Sequence, residues 1–223
     1  MGKIYFKIIK NKNNASMGIG AMVIFIAMVL VAGIAASVLI QTSTTLESQA
    51  LSTGKETTVE VSSGMAVTLI EGYAATGSNI SKLAIMVRPH AGAEFIDVAY
   101  TFIELADETK KVVLNYSTTW FLEPDGRDDI FGSNVFPNNG GAGDASQFGA
   151  LVIEDADNSI TSKNAILINR GDKVYLCVNT TACFGNIPRN TDIQGCVVPE
   201  SGSPGVIKFK TPYSYSDVIM KLQ

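Results

Sequence analysis

The chain has 223 residues, of which 46% are hydrophobic and 17% are charged, with 17 basic and 21 acidic side chains. This acidic balance leaves no basic patch for nucleic acid, so nucleic-acid binding is excluded as a main function. The chain contains one histidine, His90, and no Gly-x-Ser-x-Gly, Walker or HExxH pattern, so we do not predict an enzyme.

The first fifteen residues form a short basic leader. It contains Lys3, Lys7, Lys10 and Lys12 and no acid. A cationic segment before an apolar span stays on the cytoplasmic side of a membrane, so the span points the rest of the chain outward. Without these four lysines the chain keeps 13 basic residues against 21 acidic ones. Such a surface favours solubility and mutual repulsion, so assembly must be driven by the apolar span.

The apolar span follows the leader. No charged side chain lies between Asn13 and Leu46, and the stretch from Met17 to Ile40 is almost wholly apolar. It is long enough to cross the hydrocarbon core of a bilayer as a helix. We predict one helix over residues 16–64, roughly 70 Å long, with Gly64 as its stop. A helix that is apolar all round must be buried in lipid or among other helices.

The position of the leader predicts where the chain is processed. An ordinary secretory signal has an apolar core of about 7 to 15 residues with the cut beyond it, which does not fit here. The small-residue cut site with a polar approach lies before the span, between Ala15 and Ser16. A cut there would remove residues 1–15 and leave the helix on the mature chain, as in the class III signal peptides of pilin-like filament subunits. The alternative is a single-pass anchor that is never processed.

From residue 65 onward the hydrophobic pattern changes to period two. Short runs rich in Val, Ile and Tyr, separated by Gly, Asn, Asp and Pro turns, predict eight strands in a domain over residues 65–223. These are Ala66–Ile70, Leu83–Val87, Val98–Ile103, Lys111–Asn115, Ala150–Ile153, Ala165–Ile168, Lys173–Val178 and Val206–Phe209. We expect residues 169–172 to close a hairpin. The fold class is therefore α+β, a long N-terminal hydrophobic helix followed by an antiparallel β-sandwich.

Three cysteines lie in the β domain, and an outward-facing chain permits disulfides. Cys183 and Cys196 flank a turn-rich loop, which favours a bridge between them. Cys177 falls inside a predicted strand, either as a small, half-buried free thiol or as the partner of Cys183. The sequence does not choose between these two roles.

Three N-glycosylation acceptor motifs occur in the same domain. They begin at Asn79, Asn115 and Asn179. Each motif alone is a weak signal, but three on an exported domain predict that at least one is modified.

An acidic loop carries the residues that could bind a metal ion. Asp125, Asp128 and Asp129 surround Gly126 and Arg127, and closely spaced carboxylates in a glycine-containing turn can bind Ca²⁺ or Mg²⁺. The spacing is not that of an EF-hand. The alternative is a solvated acidic turn in which Arg127 compensates the charge.

Both ends of the chain carry motifs of a known family. Residues 16–32 read SMGIGAMVIFIAMVLVA, residues 38–43 read VLIQTS, and residues 205–212 read GVIKFKTP. These segments closely resemble the two ends of archaeal flagellins (archaellins), and the likeness is vaguer over residues 106–164. Bacterial type IV pilins usually place a glutamate five residues into the mature chain, where this chain has Gly20.

The resemblance implies a structural subunit of the archaeal swimming filament, with an immunoglobulin-like sandwich, that polymerises through its helix. The implied partners are further copies, a prepilin-type leader peptidase, an assembly ATPase and a membrane platform. The implied location is an extracellular filament, with the precursor in the cytoplasmic membrane. Archaellins are commonly N-glycosylated, and some hold a metal ion in the outer domain, although no cofactor is required. The residues expected in the filament core include Gly18, Gly20, Phe25, Ala32, Gly33 and Ala36.

Two other functions share these features. An archaeal type IV adhesion pilin has the same leader and helix physics. A membrane-tethered binding domain would keep the helix in the bilayer as a monomer.

Overall fold

A computed structural model describes residues 2–75, 77, 79–93, 95–123, 126, 129–137, 144–160, 162–164 and 166–223, with only the backbone described for residues 2–15, 144 and 167. The chain divides into two compact units, Met1–Lys55 and Glu56–Gln223.

A single long helix, α1, spans Gly2–Ser62. It ends two residues before the predicted stop, because Gly64 has a φ of +146°, a backbone conformation that side chains with a Cβ rarely adopt. At its other end the helix continues through the backbone of the predicted leader without a break at Ala15. The predicted long N-terminal helix is therefore confirmed, and it begins earlier than residue 16.

Eleven strands and one short helix are found in the described part of the β domain. The helix, α2, spans Thr180–Phe184. The strands are β1 (Met65–Tyr73), β2 (Lys82–Pro89), β3 (Ile96–Asp97), β4 (Phe102–Ala106), β5 (Lys111–Leu122), β6 (Gln147–Glu154), β7 (Leu167–Ile168), β8 (Lys173–Asn179), β9 (Asp192–Val198), β10 (Gly205–Lys210) and β11 (Ile219–Lys221).

Three of the sequence-based expectations for the strands need correction. Residues Val98–Tyr100 form a 3₁₀ turn, because the Asp97 carboxylate accepts the Ala99 N–H at 2.8 Å and caps it. The turn over residues 169–172 does form, but β7 pairs with β3 in a separate two-stranded sheet, so no hairpin results. Strands β3, β9 and β11 were not predicted.

Nine of these strands form one continuous sheet in the order β10-β9-β4-β5-β6-β8-β2-β1-β11. All neighbours run antiparallel except β5 and β6, which are parallel. The long β5 pairs with β4 over its first half and reaches β6 with its second, so it joins the two parts of the sheet. The sheet folds back on itself, and Gly205 at the start of β10 packs against Met65 and Val67 of β1. The α+β class is confirmed.

The main core lies inside this folded sheet. On β10 Ile207 and Phe209 point inward while Val206, Lys208 and Lys210 are exposed, which is the predicted alternation. Each fully buried Val, Leu, Ile or Phe stabilises the fold by about 1.5–3 kcal/mol. The largest side chains buried in this core include Met65, Ile70, Ile103, Leu105, Leu114 and Phe148.

A second apolar cluster covers part of the other face of the sheet. Residues Asp129–Pro137, which we call the flap, contribute the buried side chains of Phe131, Val135 and Phe136. The flap lies over three small residues that are aligned on neighbouring strands, Ala84 on β2, Cys177 on β8 and Gly149 on β6. A Cβ on Gly149 would overlap the main-chain oxygen of Val135. The flap can therefore pack closely against the sheet only because these three residues are small.

Two polar side chains hold the flap in place. The Lys82 ammonium donates to the main-chain oxygen of Phe131 and lies 4.9 Å from the centroid of the Phe136 ring. The Asn179 side-chain amide donates to the main-chain oxygen of Pro137 at 2.6 Å. The ring of Phe131 stacks between those of Tyr73 and Phe136, at centroid distances of 5.2 and 5.6 Å.

Gly149→Ala tests this packing. We expect it to destabilise the β domain by about 1–3 kcal/mol, because the new methyl group meets main-chain atoms of Val135 and Trp120 that cannot rotate away. The measurement is thermal unfolding of the full-length chain in detergent, followed by the fluorescence of Trp120, the chain's one tryptophan. Ile153→Ala, at an exposed position of the same strand, is the control. Equal melting temperatures for the two variants would contradict the packing.

Candidate functional site

The apolar surface of α1 is the most unusual feature of the described chain. Its large hydrophobic side chains between Met17 and Ile40 are each 51–75% exposed, so the helix by itself leaves all of them open to contact. Within the described residues, α1 is the one helix long and apolar enough to cross a membrane. A surface of this size and composition marks an interaction site for lipid or protein.

Small residues give this surface its shape. A Cβ added at Gly18, Gly20 or Gly33 would meet no atom within 4 Å. Glycine in a helix interior costs about 0.5–1 kcal/mol relative to alanine, and no contact in the chain requires it. These positions therefore leave room for close approach by another helix. A shallow apolar notch lies on the same helix, lined by Ile24, Ala27, Met28, Val31, Ala32 and Ala35.

Threonines continue the helix beyond the apolar stretch without leaving free hydroxyl donors. Thr42 donates to the main-chain oxygen of Leu39 at 3.0 Å, and Thr44 and Thr45 donate to that of Gln41 at 3.0 and 2.8 Å. Because the hydroxyl groups are satisfied within the helix, their methyl groups can enter an apolar contact at a low cost in desolvation.

The three predicted glycosylation acceptors differ in access. Asn79 and Asn115 are exposed. Asn179 is only 8% exposed, and its side-chain nitrogen already donates to Pro137 of the flap. Its side-chain oxygen accepts the N–H groups of Thr181 and Ala182 and so caps α2. A glycan on this nitrogen would displace the flap, which argues against Asn179.

The predicted cation site is only partly described. Asp125 and Asp128 lie outside the described residues, and the exposed Asp129 accepts the N–H of Phe131 at 3.0 Å. Asp129 therefore begins the flap by capping its first turn. The bound Ca²⁺ or Mg²⁺ stays a prediction.

Another group of three carboxylates, which the sequence analysis did not identify, lies elsewhere in the β domain. Oxygens of Asp155, Asp157 and Asp172 come within 4.8 Å of one another. Asp172 is buried and accepts the N–H groups of Ala156 and Asn169, both at 2.9 Å. Hydrogen bonds from Ser159 and Asn169 hold the pKa of Asp157 below its ordinary value. These bonds give the three carboxylates a structural role, because they join two turns. The Asp-x-Asp spacing of Asp155 and Asp157 was the feature of the sequence that could have identified the group.

The bridge predicted between Cys183 and Cys196 is not formed, because all three cysteines are free thiols. Cys183 is buried in the main core with Ile193 and Val197 of β9. Cys196 alternates with these two residues along β9, so its side chain takes the other face, where the thiol lies 3.9 Å from the Glu104 carboxylate. The strand itself separates the two sulfur atoms.

Cys177 is also a free thiol and is fully buried beneath the flap. Burial raises the pKa of its thiol well above the ordinary value, and raises that of Cys183 to about 11. Of the two predicted roles, a small buried residue is the one observed, and here it provides space for the flap.

The described residues contain no catalytic arrangement. The one histidine, His90, is exposed in a turn after β2, and its main-chain N–H donates to the oxygen of Gly64. A long exposed apolar helix joined to an acidic β domain is the arrangement that the sequence analysis predicted for a pilin-like filament subunit.

Comparisons with known proteins give the family. The model of the archaeal-type flagellin family matches residues 15–209. Flagellin B1 of Methanocaldococcus jannaschii is 42% identical over 220 residues, covering 98% of this chain and 99% of that protein. Flagellin B3 of Methanococcus voltae is 38% identical over 236 residues, covering 96% of this chain and 98% of that protein. The chain belongs to the archaeal-type flagellin family and is a structural filament subunit, not an enzyme.

Two solved structures agree in fold. The crystal structure of archaeal flagellin FlaB1 from Methanocaldococcus jannaschii has a TM-score of 0.63 at 35% identity, covering 72% of this chain and 97% of that one. A chain of the archaeal flagellum of Methanospirillum hungatei strain JF1 has a TM-score of 0.59 at 16% identity, covering 91% of this chain and 98% of that one. The second likeness supports the fold alone.

The free thiols can be tested by alkylation. Iodoacetamide should label Cys196 in the folded chain and leave Cys177 and Cys183 unlabelled, because these two are at most 1% exposed. Partial burial and the adjacent Glu104 carboxylate raise the pKa of Cys196, which lowers its thiolate fraction at mildly alkaline pH. Glu104→Gln removes the negative neighbour and should accelerate labelling of Cys196. Peptide mass mapping measures both effects, and Cys177 labelled in the folded chain would contradict the structure.

Proposed function

We propose that α1 is the polymerisation element of this subunit and that its apolar surface forms the core of an extracellular filament. The observation that carries the proposal is that every large apolar side chain between Met17 and Ile40 is more than half exposed. Burial of such area contributes about 25 cal/mol per Å². Among the described residues no other apolar surface is comparable in extent.

The processing step follows from the basic leader. We propose a cut between Ala15 and Ser16 by a prepilin-type leader peptidase while the precursor lies in the cytoplasmic membrane. The family match supports this position, since it begins at residue 15 and leaves the four leader lysines outside. Removal of these charges lets the helix leave the bilayer and pack among identical helices.

The force for export and rotation must come from other proteins. This chain carries no Walker motif, so an ATPase and a membrane platform are the proposed assembly partners. Its role is mechanical: helices hold the filament together, and the acidic β domains face the solvent.

A buried charge tests the helical core. Ala32→Asp should abolish filaments, because an unpaired buried carboxylate costs several kcal/mol per subunit. Electron microscopy of cell surfaces, with immunoblotting for membrane-bound subunit, measures assembly and export separately. Ala91→Asp places the same charge at an exposed turn of the β domain and should leave filaments intact.

Two outcomes of the Ala32→Asp experiment would contradict this expectation. Normal filaments in Ala32→Asp would refute the helical core. Loss of filaments in both variants would mean that added acid, rather than its place in the helix, is the cause.

N-glycosylation is proposed at Asn79 and Asn115, and not at Asn179. The first two side chains are exposed, whereas Asn179 is bonded to the flap. Peptide mass spectrometry of native filaments should find glycan on at least one of the exposed two and an unmodified Asn179. A modified Asn179 would show that the flap is displaced in the filament, and the bare polypeptide mass would rule out all three sites. The same spectra give the mature N-terminus.

A further inference from the structure

β10 and β11 are the two ends of the nine-stranded sheet. Residues Tyr213–Gln223, which follow β10 in the chain and include β11, form a segment that we call the strap. Its β11 portion pairs with Glu71, Gly72 and Tyr73 of β1. Beyond β11 the Leu222 N–H donates to the Ile70 oxygen at 2.8 Å, and the Ile70 N–H donates to the Gln223 main-chain oxygen at 3.0 Å. The strap thus runs along the edge of β1 by main-chain hydrogen bonds.

The side chain of Gln223 reaches the opposite end of the sheet. Its nitrogen donates to the main-chain oxygen of Val206 at 3.2 Å, and its oxygen accepts the N–H of Lys208 at 2.8 Å. A residue on a parallel strand beside β10 would bond these same two groups with its own N–H and C=O. The Gln223 amide therefore takes the place of a peptide group, and this one residue is bonded to both β1 and β10.

Apolar contacts accompany these bonds. Met220 and Leu222 are partly buried against the main core, while Ile219 and Lys221, which alternate with them, are exposed. A Cδ1 atom of Leu222 lies 2.8 Å from the place where a Cβ of Gly72 would be, so the Leu222 side chain uses the space that glycine leaves. The folded sheet brings β1 and β10 side by side, and we call the line where they meet the seam. The strap covers this seam from one side.

The bonds of the strap are fewer than those of the strands it joins. β1 is aligned with β2 over eight residue pairs and β10 with β9 over six, whereas β11 is aligned with β1 over three. Outside β11 the strap adds main-chain bonds to Ile70 and Ala74 of the β1 edge. Local opening is expected where a segment has few hydrogen bonds and partly exposed contacts. Opening at the strap would leave the rest of the sheet paired.

We propose that the strap is a detachable closure of the β domain and that Gln223 controls its opening. When the strap is released, the edges of β1 and β10 lose their partners at the seam while the core strands stay folded. Unpaired sheet edges are templates for pairing with another chain. Closure by Gln223 therefore protects the subunit from edge-to-edge association before it enters a filament.

Hydrogen exchange of the full-length chain in detergent micelles tests the proposal. Gln223→Ala should accelerate exchange of the Ile70, Leu222 and Lys208 amides about tenfold, since two hydrogen bonds are lost. The Ile70 amide is decisive, because its own acceptor is a main-chain oxygen that the substitution leaves in place. The β8 amides of Leu176 and Val178 should exchange at the wild-type rate. Lys221→Ala, an exposed neighbour on the strap, is the matched control.

Two outcomes would overturn the proposal. Equal exchange of the Ile70 amide in Gln223→Ala and Lys221→Ala would show that the side-chain amide does not hold the strap. Equal acceleration on β8 would show that the strap opens only with the whole domain. Gln223→Glu keeps the side-chain size but puts a carboxylate oxygen against the main-chain oxygen of Val206 in place of the N–H donor. It should therefore accelerate exchange of the Ile70 amide at least as much as alanine does, and it serves as the test if the alanine variant does not fold.

Discussion

The role of this protein as a filament subunit depends on the burial of one apolar surface that its long helix leaves open. The large side chains of α1 between Met17 and Ile40 are all more than half exposed. Apolar area of that extent is not stable in water, so the helix requires lipid or other helices. Three features of the helix suit either environment. The apolar stretch carries no charge, its glycines are not required by any contact within the chain, and the threonines that follow it donate to their own helix.

The β domain meets the opposite requirement, since it is closed without a partner. Most of its buried apolar residues form two clusters on the two faces of one folded sheet. Cys177 and Cys183 take part in this packing as small residues, and the Asp172 carboxylate holds turns by accepting main-chain N–H groups. Because this core is complete within one subunit, the surface of the domain can expose an excess of acidic side chains, while the helix forms the contacts between subunits.

Side-chain amides complete the backbone hydrogen bonding at two places where strands do not. Asn179 bonds the flap through Pro137, and Gln223 bonds β10 through Val206 and Lys208. The bond to Pro137 is buried, where a main-chain group without a partner is costly, so the Asn179 amide can hold an irregular segment. Asn179 also shows that the asparagine of a glycosylation motif can already be engaged in hydrogen bonds within the fold.

The sequence by itself determined what short-range pattern encodes: an uncharged apolar helix, its stop near Gly64, the strand alternation on β10 and the family resemblance at both ends. Only the tertiary structure decided which strands pair, that β7 joins β3, that β9 places Cys196 on the face away from Cys183, and that the flap covers Cys177. The physical reason is distance along the chain. Period and composition depend on neighbouring residues, whereas pairing and burial depend on contacts between residues such as Ile70 and Gln223, which no local pattern relates.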